Sequence, residues 1–227
     1  MPSSFAISPS ALLASMTERG TVAGFKLGWG AVKMLPEPMA YRLFNTIADT
    51  MYARDGKGVK RLRENYRKAR PELNETELNE LVRAGLRSYM RYYCEAFRLP
   101  TLGKQRINEA IRCYGDEGTR AHLANGQSVV VFVGHLGNFD LAAAWANYYL
   151  APVTTVAERL KPEEVFVEFL AFRNSIGMDI IPLTGGDDPF AQLRTKVKEP
   201  NRVLALAADR DLTSNGVEVE LVGHPAR

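Results

Sequence analysis

The stretch "VVVFVGHLGNFDL" (Val129–Leu141) decides the fold prediction, because a β-branched apolar run leads directly into a turn and the start of a helix. Apolar residues fill every position of the run, whereas a strand with one solvent-exposed face would alternate apolar and polar residues. The run predicts a strand buried on both faces, as in the centre of a parallel sheet. Gly134 and Gly137 relieve the backbone of the turn, and Asn138 can cap the following helix.

The rest of the second half repeats this strand-and-helix pattern. Strand-like runs alternate with helix-like segments. The strand-like runs are "PVTTVA", "MDIIPL", "RVLALAA" and a final "GVEVELVG". Such alternation predicts helical crossovers and a mostly parallel sheet. Upstream, "INEAIRCYG" alternates with the period of a strand, and "DEGTRAHLANGQ" predicts a short helix that closes at Gly126. We therefore predict the α/β class, a mostly parallel central sheet flanked by helices with an N-terminal helical region.

The N-terminal region is predicted to be helical. Apolar spacing indicates helices over Ser10–Leu35, Pro38–Arg54 and Lys57–Arg70, followed by a long helix after Asn74 that Glu77 helps to cap. The first helix is amphipathic, so it can lie on a membrane or pack on the domain, and both interpretations stay open. The long helix carries aromatic and arginine residues that favour a core face over a phosphate contact: Tyr89, Tyr92, Tyr93, Phe97, Arg87, Arg91 and Arg98.

The length of 227 residues favours one domain with one core. We divide it into a helical part, residues 1–100, and an α/β catalytic part, residues 101–227. The chain stops just after a strand, at "VEVELVGHPAR", and we expect either a naturally short version or a chain truncated at its C-terminus.

Composition excludes several classes of protein. The net charge is only +3, but Arg54–Arg112 holds 15 Lys/Arg against 8 Asp/Glu. This basic region can attract any polyanion or can be a solvated helical face. Cys94 and Cys113 match neither a zinc motif nor a disulfide framework, which favours a reduced compartment. No secretory signal or uninterrupted apolar span is present, so we expect neither export nor a transmembrane helix.

His135 is the first candidate for chemistry. Ligands of open parallel sheets bind beyond the carboxyl ends of the strands, and His135 follows such a strand. Asp140, in the first turn of the next helix, can accept a hydrogen bond from the imidazole and leave the other ring nitrogen to act as a base. A capping Asp beside a partly buried His is the alternative. We predict no metal site, because His122 and His224 have no evident reason to join His135.

Four further residues are predicted to contact substrate. Glu158 ends a strand and can bind hydroxyl groups, or else is an exposed helix-capping acid. Arg173 lies among apolar residues and needs an anionic partner, either a ligand phosphate or a carboxylate such as Glu158, unless its stem only covers the apolar face. Asp209 and Arg210 follow another apolar strand beside His135. By themselves they favour a charged turn that closes on itself. The alternative is that Asp209 braces the histidine or an acceptor and that Arg210 meets a phosphate or an oxyanion.

The motif "GHLGNFD" resembles the His, four residues, acid motif of glycerolipid-type acyltransferases, and its strand and helix context is similar to that of the late acyltransferases of lipid A assembly. Asp140 in place of the commoner Glu, with "VAERL", "FRNSIGMDIIPL" and "ALAADRD", resembles the actinobacterial phosphatidylinositol mannoside acyltransferases. The resemblance runs from about Ala40 to the C-terminus. It implies that His135, held by Asp140, deprotonates a sugar hydroxyl that attacks the thioester of an acyl-CoA such as palmitoyl-CoA.

The resemblance also implies the partners. We expect acyl-CoA as a co-substrate with no cofactor, an anionic mannolipid acceptor and peripheral attachment to the cytoplasmic face of the cell membrane. The oligomeric state is left open. The alternatives are a lipid A-type or lysophospholipid acyltransferase and a non-catalytic lipid-binding relative. Nucleic-acid binding rests on the basic region alone, and we expect no such partner.

Overall fold

The structure, a computed structural model, describes residues 28–159, 163–209 and 216–226 of the chain. The described residues divide into two compact units. One contains the residues up to Phe97 together with 216–226, and the other contains Arg98–Asp209. The boundary lies three residues before the predicted one, and a single domain over residues 1–227 stays a prediction.

The first unit is helical before its C-terminal segment, as the sequence predicts. Its helices are α1 (Glu37–Arg54), α2 (Lys57–Ala69) and α3 (Glu75–Arg98). Residues 28–34 are also helical and Leu35 forms a bend, whereas residues 10–27 of the predicted Ser10–Leu35 helix lie outside the described residues. None of the helices in the described part of the chain is long and apolar enough to span a membrane.

Helix α3 begins with the predicted capping arrangement. The Oδ1 atom of Asn74 accepts hydrogen bonds from the backbone amides of Thr76 and Glu77, both at 3.0 Å. In return, Oε2 of Glu77 accepts a hydrogen bond from the backbone amide of Asn74 at 2.9 Å. These reciprocal bonds satisfy amide groups that the first helical turn leaves without partners, so the sequence alone sets this helix start.

The inner face of α3 forms the core of the first unit. Its buried side chains recur every three or four residues: Leu78, Val82, Leu86, Met90, Cys94 and Phe97. The ring of Tyr93 lies 5.0 Å from that of Tyr89 and 5.9 Å from that of Phe97 between centroids, so the aromatic residues pack against one another. Arg87 donates two hydrogen bonds to Asp49 at 2.9 and 2.7 Å. The aromatic stripe is therefore a packing feature.

The second unit is an α/β structure. Its helices are α4 (Lys104–Ala110), α5 (Glu117–Ala124), α6 (Phe139–Tyr149), α7 (Glu163–Ser175) and α8 (Pro189–Lys196). Its strands are β1 (Val129–Val133), β2 (Val153–Ala157), β3 (Asp179–Pro182) and β4 (Val203–Ala207). All strand pairs are parallel, in the order β1-β4-β2-β3. The predicted fold class is confirmed.

The predicted central position of β1 is wrong. In the described part of the chain β1 pairs only with β4, at one end of the sheet, and Val130 and Phe132 are 46% and 75% exposed. Strand β4, the last of the four along the chain, lies between β1 and β2 and carries the buried Val203 and Leu204. An apolar run shows that a strand forms, but the position of that strand depends on which other strand inserts beside it.

Two shorter segments also differ from prediction. "INEAIRCYG" forms no strand, because helix α4 continues to Ala110 and the residues after it are irregular. The predicted final strand is a hairpin of β5 (Val219–Leu221) and β6 (His224–Ala226). Val222 and Gly223, with φ of 54° and 73°, form the two-residue turn between them. Positive φ at both central residues matches the hairpin turn whose twist suits paired strands.

Candidate active site

The parallel register of β1 and β4 brings His135 and Asp209 together. Val133 pairs with Ala207, and the backbone amide of Ala208 donates to the carbonyl of Val133 at 3.0 Å. His135 and Asp209 each lie two residues beyond that last pair. Because both strands run in the same direction, both residues emerge at the carboxyl edge of the sheet, where ligands of open α/β sheets bind.

Asp209 holds His135 through two hydrogen bonds. The backbone amide of His135 donates to Oδ2 at 2.9 Å, and Nδ1 of the imidazole lies 2.8 Å from Oδ1. A carboxylate can only accept, so the proton of the neutral imidazole is assigned to Nδ1. Nε2 then carries the lone pair, and it is the nitrogen that can remove a proton from a substrate.

The same contacts alter the acidity of Asp209. Partial burial raises the pKa of its carboxyl group, but the hydrogen bonds from the backbone and side chain of His135 outweigh burial and bring the pKa below the ordinary 3.8. The side chains of His135 and Asp209 are 40% and 39% exposed. The pair therefore combines an ionised orienting group with an imidazole that a substrate can reach.

Asp140 occupies a different environment. It lies in the first turn of α6, which Asn138 caps by accepting a hydrogen bond from the backbone amide of Leu141 at 2.9 Å. The Asp140 side chain is completely buried and accepts a hydrogen bond from Nε of Arg173 at 3.0 Å. A buried carboxylate next to a guanidinium forms a charge-assisted bond that fixes both groups.

These contacts differ from two predictions. The carboxylate on Nδ1 of His135 is that of Asp209, whereas Asp140 was predicted there. The partner of Arg173 is a site carboxylate, one of the two kinds of partner predicted, but it is that of Asp140 and not that of Glu158, the example given. The physical reason is the strand order: β4 is adjacent to β1, so the residue after β4 reaches the imidazole although it is 74 positions away in the chain.

Comparison with known proteins now identifies the family. Residues 13–227 match the model of the bacterial lipid A biosynthesis acyltransferases. The chain belongs to this family. It is 37% identical over 207 residues to the phosphatidylinositol mannoside acyltransferase of Mycolicibacterium smegmatis, a match that covers 91% of this chain and 67% of that protein. It is 38% identical over 215 residues to the protein of the same name from Mycobacterium tuberculosis, with 94% and 67% covered.

Of the two remaining predicted site residues, Glu158 is described and lies at the same sheet edge. In this acyltransferase-family chain, Glu158 follows the last residue of β2 and is exposed. The next residue, Arg159, pairs with Glu163 at 2.6 Å and donates to the carbonyl of Gly185 at 3.2 Å. Arg159 thereby joins the segment after β2 to the loop after β3. Arg210 lies outside the described residues.

No group of three His, Cys, Asp or Glu side chains that could hold a metal ion occurs among residues 28–159, 163–209 and 216–226. The sequence places Asp209 at the right edge of the sheet and allows it to brace the histidine, but the contact with the imidazole nitrogen was predicted for Asp140. The available signal was that His135 and Asp209 each follow an apolar strand after the same short interval. Using that signal requires knowing that the two strands are neighbours.

Proposed function

We propose that the chain is an acyltransferase that moves a long-chain acyl group, palmitoyl, from acyl-CoA to a mannose hydroxyl of a phosphatidylinositol mannoside. The observation that carries the proposal is the pair of His135 and Asp209 at the carboxyl edge of the parallel sheet, with Nδ1 and Oδ1 at 2.8 Å. Family membership supports acyl transfer as the reaction class. The names of the mannoside acyltransferases to which the chain is similar support the acceptor.

In the proposed reaction His135 acts as the general base. Nε2 takes the proton of the sugar hydroxyl as its oxygen attacks the thioester carbonyl carbon. The new C–O bond forms, the C–S bond breaks, and the CoA sulfur leaves and receives the proton from the imidazolium. Asp209 stabilises the imidazolium through Nδ1. General-base catalysis of this kind contributes about 10²–10⁴-fold to a rate.

The other predicted residues take supporting roles in this proposal. Glu158, exposed at the end of β2, can hydrogen-bond hydroxyl groups of the mannolipid, and Arg210 can meet a phosphate or the forming oxyanion. Asp140 and Arg173 form a buried ion pair, so we assign them to the support of the site. We propose no cofactor, because a base and two substrates complete the reaction.

We further propose that the protein attaches peripherally to the cytoplasmic face of the cell membrane. In the first unit Met34, Met39 and Leu43 are 87%, 54% and 42% exposed. Met39 and Leu43 lie one turn apart on α1, and in sequence the exposed Lys33 precedes Met34 and the exposed Arg42 precedes Leu43. Apolar side chains bordered by cations suit an anionic lipid surface, near which each cation contributes about 1 kcal/mol.

The test of the reaction supplies radiolabelled palmitoyl-CoA and liposomes that contain phosphatidylinositol mannosides. We expect labelled mannolipid and free CoA from the unaltered protein and from His122→Ala, whose exposed histidine serves as the matched control. We expect neither product from His135→Ala, and a loss of about 10²-fold or more from Asp209→Asn. Equal amounts of product from the unaltered protein and from His135→Ala would disprove the role of His135 as the general base.

Acceptor choice is tested in the same assay. Liposomes with lysophospholipid or a lipid A precursor in place of the mannolipid should give little labelled lipid. Faster transfer to either acceptor would replace the mannolipid proposal with that alternative. Binding to liposomes without release of CoA from any mixture would favour a non-catalytic lipid-binding relative.

Membrane attachment is tested by co-sedimentation with vesicles that contain phosphatidylinositol. We expect Met39→Glu to weaken binding, since it places a negative charge on the proposed contact surface, and we expect added salt to weaken binding of the unaltered protein. Val167→Glu changes an apolar side chain that is 50% exposed on α7 of the other unit, and it should bind normally. Equal binding by both variants would rule out the α1 surface.

A further inference from the structure

Phe139 contacts one member of each bonded pair in the candidate site, the pair of His135 with Asp209 and the pair of Arg173 with Asp140. Its ring centroid lies 5.9 Å from that of the His135 imidazole, with the two planes at 80°. The guanidinium carbon of Arg173 lies 5.8 Å from the centroid of the same ring. One aromatic side chain therefore contacts both the imidazole that Asp209 orients and the cation that Asp140 holds.

The contact between Phe139 and His135 restricts a motion that the Asp209 hydrogen bond leaves open. One hydrogen bond at Nδ1 orients that nitrogen but tolerates some rotation of the imidazole plane about the Cβ–Cγ bond. An edge-to-face contact with a second ring favours one tilt of the plane. The direction of the Nε2 lone pair depends on this tilt, and proton removal requires that lone pair to point at the hydroxyl.

Phe139 is itself held in place. It opens helix α6, and the Arg173 guanidinium over its ring provides a cation–π contact. Arg173 is fixed by the completely buried carboxylate of Asp140. A continuous series of contacts therefore runs from Asp140 through Arg173 and Phe139 to His135.

We propose that Phe139 is a positioning residue that sets the plane of the His135 imidazole, and that Asp140 acts on the base through Arg173 and Phe139. This inference rests on the proposed function and deepens it. It accounts for the spacing of the His, four residues, acid motif. Four residues after the histidine suffice to start the helix with Phe139, and the fifth, Asp140, anchors the cation that contacts the ring.

The first arm of the test does not depend on catalysis. In proton NMR of the unaltered chain, the ring current of Phe139 shifts the carbon-bound ring protons of His135. We expect Phe139→Leu to move those resonances and to leave those of His122 and His224 unchanged. Phe190→Leu, at an aromatic residue that is 71% exposed at the start of α8, is the matched control and should move none of them.

The second arm measures acyl transfer. An aromatic pair of this kind corresponds to about a three- to tenfold change in rate, so we expect Phe139→Leu to lower kcat by about that factor without changing KM for acyl-CoA. Phe139→Trp keeps a ring at the position and should retain most of kcat. Circular dichroism establishes that each compared variant is folded.

The outcomes separate this inference from the proposed function. Shifted His135 resonances with a lower kcat that Trp restores support both. If the unaltered chain transfers no acyl group, the proposed function fails while the NMR arm still decides the position of the ring. Unchanged His135 resonances in folded Phe139→Leu, or equal losses of kcat in the Leu and Trp variants, overturn the role of Phe139.

Discussion

Replacing Asp140 with asparagine should cost the protein about 3 kcal/mol of free energy of unfolding, because it leaves the Arg173 guanidinium beside an uncharged amide in a buried position. The Asp140 side chain is 0% exposed and that of Arg173 is 18% exposed. Asparagine has almost the same size as aspartate. The substitution therefore removes the charge of the pair while changing the packing little.

The magnitude follows from the geometry. Nε of Arg173 and Oδ1 of Asp140 are 3.0 Å apart. With charge centres about 4 Å apart and an effective dielectric constant of about 20, the attraction is about 4 kcal/mol. The asparagine oxygen can still accept the hydrogen bond, which retains about 1 kcal/mol. For a chain of this length a net loss of about 3 kcal/mol lowers Tm by roughly 6–12 °C.

Asp209→Asn provides the matched control. It makes the same chemical change at a side chain that is 39% exposed and faces a neutral imidazole, and even a charged pair at that exposure contributes only about 0–1 kcal/mol. We expect its Tm to stay close to that of the unaltered protein while the proposed acyl transfer is lost. One substitution type thus separates the buried carboxylate that stabilises the fold from the exposed carboxylate that is proposed to orient the base.

Thermal and urea unfolding followed by circular dichroism measure both variants. Arg173→Gln and the double variant with Asp140→Asn complete a double-mutant cycle, and we expect a coupling of about 1.5 kcal/mol or more. An Asp140→Asn protein that melts within about 2 °C of the unaltered chain would refute the reasoning, and so would strictly additive losses in the cycle.

Two further predictions concern packing and pH. Gly85→Ala should destabilise the protein in urea unfolding although alanine favours helices, because the added Cβ would lie within van der Waals overlap of the Tyr66 hydroxyl oxygen. Gly118→Ala meets no atom within 4 Å and should not destabilise it, and equal effects would contradict the packing argument. The lowered pKa of Asp209 means that its carboxylate contributes stability above the ordinary 3.8, and that this contribution is lost as the pH falls through the lower folded value. The small Tm difference between the unaltered protein and Asp209→Asn should therefore shrink only below pH 3.8, and a difference that disappears at higher pH would contradict hydrogen bonding by His135 as the cause of the lowered pKa.

Local features of the chain were predictable because their causes are local. The start of α3 depends on Asn74 and Glu77, which bond to each other across three residues. The start of α6 depends on Asn138, three residues from the amide it caps. The α/β class was predictable for the same reason, since the hydrophobic pattern of a few residues distinguishes each strand from the helix after it.

The partners in the candidate site were less predictable because they meet only across the sheet. His135 was identified from its position after an apolar strand, yet no local signal shows that β4 rather than β2 lies beside β1. Phe139 carried no chemical signal of its own. A phenylalanine at a helix start becomes informative only when an imidazole and a guanidinium are found on its ring.

The sequence by itself therefore determined most of the described helices, the four strands of the parallel sheet and the histidine at a sheet edge, because capping and hydrophobic periodicity act over a few residues. The tertiary structure decided which aspartate orients that histidine. Parallel pairing of β1 with β4 brings Asp209 to Nδ1 of His135 from 74 residues away. The carboxylate of Asp140 instead accepts a hydrogen bond from the guanidinium of Arg173. Strand order is a global property of the folded chain, and it is what sets the chemistry of this site.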